Sequence, residues 1–258
     1  MDILDKLVDE KKRIICDKIY KIPDSFPEKI KDYFYNSLLK NKFNIIAEVK
    51  PASPVKGKLT SLSLPEMVEI YDKAKEVSAL SVLTAESFSA NLSNLQIARD
   101  LTQKPILQKD FILIPEQLYE GRLLGADAIL LIARILTFKE LESLYNLSLK
   151  LDLEPIIEVY DVKDLEKALA LKPRIIMINN RDLSSFNLDI KNTPNLLPYI
   201  PEDVLVISAS GIRTGEDIKM LYESGAKAVL VGESIVTSID PYQKIKELFE
   251  GCGLKSVE

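Results

Sequence analysis

The sequence contains no histidine and only two cysteines, Cys16 and Cys252, which lie near opposite ends of a 258-residue chain. Without histidine, an ordinary zinc site is disfavoured and acid–base catalysis by an imidazole is excluded. Neither cysteine belongs to a Cys-x-x-Cys motif or has a base beside it in the sequence, so both are expected to be inert thiols. Any proton transfer must therefore use Lys, Glu, Asp, Tyr or a thiol.

Long apolar runs are also missing. No run approaches the roughly 20 residues that span a bilayer, and the mixed-charge start, Met1–Lys6, lacks the apolar stretch of a secretory leader. We therefore expect a cytoplasmic enzyme that does not bind membranes. The formal net charge of −5 disfavours a nucleic acid as the main partner, although local charges and backbone N–H groups can still bind a small anion.

Eight short runs rich in Ile, Val and Leu alternate with amphipathic segments. Such runs are typical of parallel strands buried on both faces, and their alternation with helices indicates a parallel sheet, open or closed. Eight repeats in this length favour a closed (β/α)8 barrel, the TIM barrel, which commonly uses about 250 residues. The predicted strands are Asn44–Val49, Ala79–Leu83, Pro105–Gln108, Ala128–Ile132, Pro155–Val159, Arg174–Ile178, Val204–Ile207 and Ala228–Val231.

Residues 1–42 fall outside this repeat. They are interpreted as two amphipathic helices, Ile3–Ile19 and Glu28–Leu39, interrupted by prolines, and are too short to bury a core of their own. The prediction is one α/β domain over residues 1–258, in which an N-terminal helical extension packs on a barrel at 43–250. Helices predicted between the strands include Thr137–Leu151, Asp161–Leu171 and Thr214–Ser224, each beginning with a residue suited to an N-cap.

Polar side chains are concentrated where the predicted strands end, which is where such barrels carry their active sites. Glu48 and Lys50 are two residues apart on one strand and so point to the same side, while Lys109 and Glu158 follow two other strands. One charged residue after a strand is usually a solvated loop residue. Four together indicate a cavity, in which carboxylates and amines have shifted pKa values and can exchange protons near neutral pH.

Glycines and hydroxyls follow the last two predicted strands, where barrels of this kind often bind phosphate. The residues after either strand alone are weak evidence, because glycine after a strand is common in turns. Together they predict a phosphate site. For Glu233 the backbone is expected to matter more than the side chain. The residues are Ser210, Gly211, Gly232, Glu233 and Ser234, with Ser53 as a further hydroxyl.

Two aromatic and two basic residues also follow strands. Phe88 and Phe111 could form a wall for an aromatic substrate, whereas Arg181 and Arg134 are candidates for binding an anion unless they are simply exposed at the surface. The acidic residues Asp110 and Asp182 are interpreted as structural, in capping or pairing.

Several of these segments resemble the motifs of the indole-3-glycerol-phosphate synthase family, in order and spacing across nearly the whole chain. The segments are Ile45–Pro54, Pro105–Phe111, the strand carrying Glu158, Ile178–Leu183 and Val231–Ser234. The resemblance implies conversion of 1-(2-carboxyphenylamino)-1-deoxyribulose 5-phosphate to indole-3-glycerol phosphate in tryptophan biosynthesis, with release of carbon dioxide and water. It implies a phosphorylated small-molecule substrate and no metal or organic cofactor, and we expect a monomer.

The resemblance also implies roles for single residues. Lys109 matches the lysine that acts as acid at the ribulose carbonyl, and Glu48, Lys50 and Glu158 match the residues for the acid–base exchange of dehydration. Asn179 would orient a hydroxyl or a carboxylate. The carboxylate and phosphate of the substrate would be held by Lys50, Ser53 and Arg181, with the loops Ser210-Gly211 and Gly232–Ser234.

The chain departs from the family pattern at three places. Ala209 stands in Ser208-Ala209-Ser210-Gly211 where the family usually has a glutamate, so full catalytic efficiency is in question. The usual Phe-x-Gly-Ser is Phe88-Ser89-Ala90-Asn91, and Met177 occupies a position often held by glycine.

Two other interpretations stay open at this stage. The first is another phosphate-binding barrel, such as a phosphoribosylanthranilate isomerase, which is expected to need a cysteine that these strand ends do not offer. The second is a relative that binds an anthranilate-like phosphate without turnover, for which Ala209 is the direct support.

Overall fold

The protein is a closed barrel of eight parallel strands in a computed structural model that describes residues 2–20, 22–23 and 25–253. Each strand pairs with the strands before and after it in the chain, and the first pairs with the last, which closes the barrel. The predicted (β/α)8 fold is therefore confirmed. The strands are β1 (Asn44–Val49), β2 (Val77–Leu83), β3 (Ile106–Lys109), β4 (Ala128–Ile132), β5 (Glu154–Val159), β6 (Ile175–Asn179), β7 (Leu205–Ala209) and β8 (Ala228–Val231).

Helices separate the strands and cover the outside of the barrel. Several begin at the caps that the sequence indicated: Thr137, Asp161 and Thr214 each accept a backbone N–H of the first turn through their side chains. In the described ranges the helices are α1 (Ile3–Cys16), α2 (Tyr33–Leu39), α3 (Leu64–Lys73), α4 (Ser93–Leu101), α5 (Pro115–Leu123), α6 (Phe138–Lys150), α7 (Val162–Leu169), α8 (Asn192–Leu196), α9 (Gly215–Glu223), α10 (Glu233–Val236) and α11 (Pro241–Glu250).

Alternation along the strands divides the apolar residues into two clusters. Residues such as Ile45 and Ile157 pack against the helices, whereas Ile46, Ile156 and Met177 pack inside the barrel. Because alternate residues of a strand point the same way, the inward series continues upward into the polar residues at the carboxyl ends of the strands. The interior is thus an apolar floor beneath a polar cavity.

The N-terminal helices close the two ends of the barrel. Leu4, Leu7 and Val8 of α1 join the interior cluster, as do Phe34 and Leu38 of α2. At the start of β5, Glu154 accepts the backbone N–H groups of Phe34 and Tyr35 at 2.6 and 2.7 Å, which puts α2 at the amino end. Helix α1 packs against the short 3-10 helix that follows β2, so it covers the carboxyl end.

Both helices are shorter than predicted. Helix α1 ends at Cys16 rather than Ile19, and α2 begins at Tyr33 rather than Glu28. The residues before α2 make tertiary contacts instead: the Pro27 carbonyl accepts from Arg122, and Lys29 donates to Asp127. Asp32 has a left-handed backbone with φ of 55°, which an α-helix does not accommodate.

No helix in the described portion of the chain is long and apolar enough to cross a membrane.

Candidate active site

A cavity of about 800 Å³ opens at the carboxyl end of the barrel. Its walls come from the ends of β1, β3, β6, β7 and β8, from the loops that follow the strands, and from Leu7 of α1. It brings together almost all the site residues predicted from sequence: Glu48, Lys50, Ser53, Phe88, Lys109, Phe111, Asn179, Arg181, Ser210, Gly211, Gly232, Glu233 and Ser234. Glu158 does not line the cavity, because it is almost fully buried behind Lys109.

Lys109 occupies the centre of the charged residues. Its Nζ lies 3.9 Å from Glu48 Oε1 and 3.9 Å from Glu158 Oε2, so one ammonium faces two carboxylates. Lys50 Nζ lies 3.3 Å from the other oxygen of Glu48, as expected for two residues on one side of a strand. Glu48 and Glu158 are only 4% and 2% exposed. Charged side chains from β1, β3 and β5 therefore meet at one place, where the two carboxylates are almost fully buried.

Asn179 fixes the orientation of Glu158. Its Nδ2 donates to Glu158 Oε1 at 3.2 Å, and its Oδ1 accepts the backbone N–H of Arg181 at 3.0 Å. The second Glu158 oxygen is buried and has no hydrogen-bond partner in the described part of the chain. Sequence reasoning gave Asn179 a hydroxyl or a carboxylate to orient, and in this structure it orients a carboxylate of the protein itself.

Gly232 leaves room for the carboxylate of Glu48. A Cβ at this position would lie 2.6 Å from Glu48 Oε2 and 3.0 Å from Glu48 Cβ, closer than side-chain carbons normally approach. The sequence suggested that this glycine lets the backbone approach a phosphate. The observed contact gives it a second reason, which is access of Glu48 to the cavity.

The turn after β7 has an unusual backbone. Ser210 and Gly211 have φ of 73° and 86°, and Ser210 is strained there because it carries a side chain. Asn180 Nδ2 donates to the Ser210 carbonyl at 3.0 Å, which helps to hold the turn. Ser234 Oγ donates to the carbonyl of Ile212 at 2.8 Å and so joins this turn to the β8 loop.

A short hairpin, in which Ala52–Ser53 pairs with Gly57–Lys58, follows β1 and lines the cavity near the β8 loop. Ser53 Oγ accepts the backbone N–H of Lys56 at 2.9 Å, and the Lys56 ammonium pairs with Glu233. Burial opposes ionisation of Glu233, but the hydrogen bond and charge of Lys56, with Lys50 and Arg181 farther away, outweigh burial and hold its pKa below the ordinary value. The side of the cavity around the β8 loop is therefore rich in positive charge.

Apolar side chains form other parts of the cavity wall. Phe111 is 5% exposed, and the ring of Phe88 lies 5.4 Å from Lys50 Nζ. Sequence reasoning missed Leu7, Leu183 and Phe186, which also line the cavity. The periodicity of α1 predicts an apolar stripe that includes Leu7, but a sequence does not reveal which part of the barrel that stripe covers.

Arg134 does not line the cavity, so it is not placed to bind a substrate anion there. Its guanidinium is shared among Asp161, Asp164 and Asp182, and it stacks on Tyr160, so its charge is already satisfied. Asp182 is thereby paired, as predicted, and Asp110 is paired with Lys11 at 2.9 Å.

The three departures from the family pattern have different surroundings. Ala209 lines the cavity at the end of β7, opposite Asn179 and Leu230 in the strand register. Met177 is fully buried in the apolar cluster inside the barrel, so it contributes to packing there. In the third segment, Asn91 Oδ1 accepts the N–H and the hydroxyl of Ser93 at the start of α4.

No group of three or more acidic, cysteine or histidine side chains in the described ranges is arranged to hold a metal ion.

Solved structures with the same fold include a thiamine phosphate pyrophosphorylase from Pyrococcus furiosus, with a TM-score of 0.63 and 12% identity over 83% of this chain and 98% of that one. A 3-hexulose-6-phosphate synthase from Salmonella typhimurium gives 0.62 and 16%, over 81% and 98%. At these identities the likeness shows the fold alone.

Sequence comparisons are more specific. A family model described as indole-3-glycerol phosphate synthase matches residues 4–248. The indole-3-glycerol phosphate synthase of Thermoanaerobacter sp. (strain X514) is 41% identical over 246 residues, 94% of this chain and 92% of the relative. That of Clostridium acetobutylicum is 39% identical over 257 residues, covering 96% and 97%. The chain therefore belongs to the indole-3-glycerol phosphate synthase family.

Proposed function

We propose that this chain closes the indole ring of 1-(2-carboxyphenylamino)-1-deoxyribulose 5-phosphate, releasing carbon dioxide and water and leaving indole-3-glycerol phosphate. The observation that carries the proposal is the position of Lys109, between Glu48 and Glu158, in a cavity that the glycine loops after β7 and β8 also line. One site thus offers both acid–base groups and an anion-binding surface.

The two ends of the substrate suit different sides of the cavity. Its phosphate fits the turn at Ser210-Gly211 and the loop at Gly232–Ser234, where Arg181 adds a positive charge. Its aromatic ring fits the apolar wall that includes Leu7, Phe88 and Phe111. Lys50 lies above the Phe88 ring. It is therefore suited to bind the carboxylate on the aromatic ring of the substrate.

Ring closure needs a proton at the ketone. The ring carbon that bears the carboxylate attacks the ribulose carbonyl carbon, and Lys109 gives its proton to the carbonyl oxygen, which becomes a hydroxyl. Two carboxylates beside Lys109 favour its charged form before the attack. Carbon dioxide then leaves, and its bonding electrons restore the aromatic ring.

Dehydration completes the indole. The new hydroxyl accepts a proton and leaves as water, and the neighbouring carbon next to nitrogen loses a proton to a base. Glu158 is suited to be this base because one oxygen is held by Asn179 while the other is unpartnered and faces Lys109. Glu48 and Lys50 supply the proton that the departing hydroxyl accepts. Over the whole reaction one proton is consumed, since a carboxylate departs as neutral carbon dioxide.

Purified protein tests the proposal. Incubation with the substrate should release indole-3-glycerol phosphate and carbon dioxide in equal amounts over many turnovers. Binding of the substrate without release of either product would instead support a binding protein, the alternative that Ala209 favours. The isomerase interpretation is set aside by family membership, and neither Cys16 nor Cys252 lines the cavity.

A further inference from the structure

One face of α1 carries two residues that contact the active-site region. Leu7 and Lys11 are four residues apart, so they lie one above the other on the helix. Leu7 lines the cavity, and Lys11 is buried, with its side chain only 8% exposed. The Lys11 ammonium lies 2.9 Å from Asp110 Oδ2 and 3.0 Å from Glu86 Oε2. An exposed lysine on a surface helix would have no such partners.

The two carboxylates belong to the segments that carry residues of the site. Asp110 follows Lys109 directly and precedes Phe111, and its Oδ1 accepts the backbone N–H of Phe111 at 2.7 Å. Glu86 begins the 3-10 helix that ends at Phe88. One ammonium on α1 therefore joins the end of β3 to the loop after β2.

Burial makes this contact costly to lose. Burial disfavours the Lys11 ammonium, but Asp110 and Glu86 outweigh it and hold the pKa of Lys11 above the ordinary value. Burial raises the pKa of Asp110, while the charge of Lys11 and the hydrogen bond from Thr84 favour its ionised form. Removing Lys11 would leave Asp110 as an uncompensated buried carboxylate in the turn between Lys109 and Phe111, which destabilises that turn.

We propose that Lys11 is a positioning residue for the reaction: by tying the ends of β2 and β3 to α1 it fixes Lys109, Phe88 and Phe111 relative to the substrate. The proposal rests on the proposed function, because it assigns Lys11 to the same site. Lys11 does not line the cavity and touches no reacting atom. Its effect on turnover passes through the backbone at Asp110 and Glu86.

The chain offers a matched control at the other end of the barrel. Lys29 pairs with Asp127 at 2.8 Å, and both side chains are about as buried as those of the Lys11–Asp110 pair, at 10% and 8% against 8% and 3% exposed. Asp127 directly precedes β4, so this pair lies at the amino end, away from the cavity. Each aspartate keeps one side-chain partner when its lysine is lost, although Asp127 keeps the cation Arg99 and Asp110 keeps the neutral hydroxyl of Thr84.

The experiment compares the whole protein with Lys11→Met, Lys11→Arg and Lys29→Met. Thermal unfolding, kcat and KM for the substrate are measured for each, with rates expressed per folded molecule. Both methionine variants should unfold at a lower temperature than the wild type. Only Lys11→Met should lose turnover, by roughly 10²-fold, the scale of an ångström of misplacement. Lys11→Arg, which keeps the charge, should regain a measurable part of kcat.

Equal kcat and KM in Lys11→Met and Lys29→Met would overturn the proposal, as would an Arg variant no better than Met. Should Lys11→Met fail to fold, Glu86→Gln removes the half-exposed partner alone. That variant should raise KM through Phe88, and an unchanged KM would count against the proposal. Absence of turnover in the wild type would refute the proposed function itself, and the role of Lys11 with it.

Discussion

Gly232 illustrates how one missing side chain shapes the active site. Replacing it by alanine would put a Cβ 2.6 Å from Glu48 Oε2. The clash involves a side chain rather than backbone, so the fold should survive while Glu48 is pushed away from Lys109. We expect Gly232→Ala to lower kcat by roughly 10²-fold, the scale of a small misplacement at the reacting centre. Steady-state kinetics decide: a higher KM at unchanged kcat would mean that the glycine serves phosphate binding alone.

Ala209 lies where a cavity-facing glutamate is usual in the family, and the structure leaves two carboxylates, Glu48 and Glu158, at the centre of the site. We predict that Ala209→Glu raises kcat/KM by about tenfold or more, because a hydrogen bond to a charged group contributes about 1.5–3 kcal/mol. Ala209→Gln fills the same space without the charge and serves as the control. Equal or lower kcat/KM in the glutamate variant would show that the missing carboxylate does not limit this protein.

The sequence predicted single residues well where strand periodicity governed them. Glu48, Lys50 and Lys109 meet as expected because alternate residues on a strand must share a side. It failed where a partner distant in the chain decides the outcome. Arg134 looked available for an anion, and only the folded barrel brings Asp161, Asp164 and Asp182 around it. Lys11 shares a helix face with Leu4 and Leu7, but the sequence does not reveal that Asp110 and Glu86 surround it.

At the scale of elements, helix α2 depends on a buried carboxyl. Burial raises the pKa of Glu154 to about 7, despite the N–H groups of Phe34 and Tyr35 that favour its charged form. In the unfolded chain this pKa is near 4.5, so the folded protein binds more protons between these values. The stabilisation from this group is fully present below about pH 4.5 and is lost as the pH rises through about 7.

We therefore predict that the free energy of unfolding falls between pH 5.5 and pH 8, by up to about 2 kcal/mol from this group. Glu154→Gln keeps an acceptor for one N–H and should remove most of that slope. Urea unfolding at pH 5.5 and pH 8 measures this change in the free energy of unfolding. Because the chain has no histidine, the side chain that usually titrates in this range is missing. An equal slope in the variant would refute the assignment to Glu154.

Strands were predicted more accurately than the N-terminal helices. The bounds of β1, β4 and β8 match the apolar runs, because a strand buried on both faces leaves a continuous signal in the sequence. Helix α2 was predicted five residues too early, at Glu28 rather than Tyr33. Helical periodicity continues through this stretch, but Lys29 and the Pro27 carbonyl are used in contacts with the barrel instead.

For the whole molecule, the two ends of the barrel have different tasks. At the amino end, α2 fills the opening with Phe34 and Leu38, and its contacts concern stability. At the carboxyl end, α1 covers a cavity in which β1, β3 and β5 each contribute one charged group to a single point. The account of function depends on that point, and above all on Lys109 as the acid.

The most direct test compares the turnover of Lys109→Ala with that of the wild type on 1-(2-carboxyphenylamino)-1-deoxyribulose 5-phosphate. Losing a positioned acid typically costs about 10²–10⁴ in rate. We expect a loss of kcat on that scale, with substrate affinity within about one order of magnitude because the phosphate and the aromatic ring of the substrate keep their contacts. A variant that retains most of the wild-type kcat would contradict the account and remove Lys109 from the role of acid.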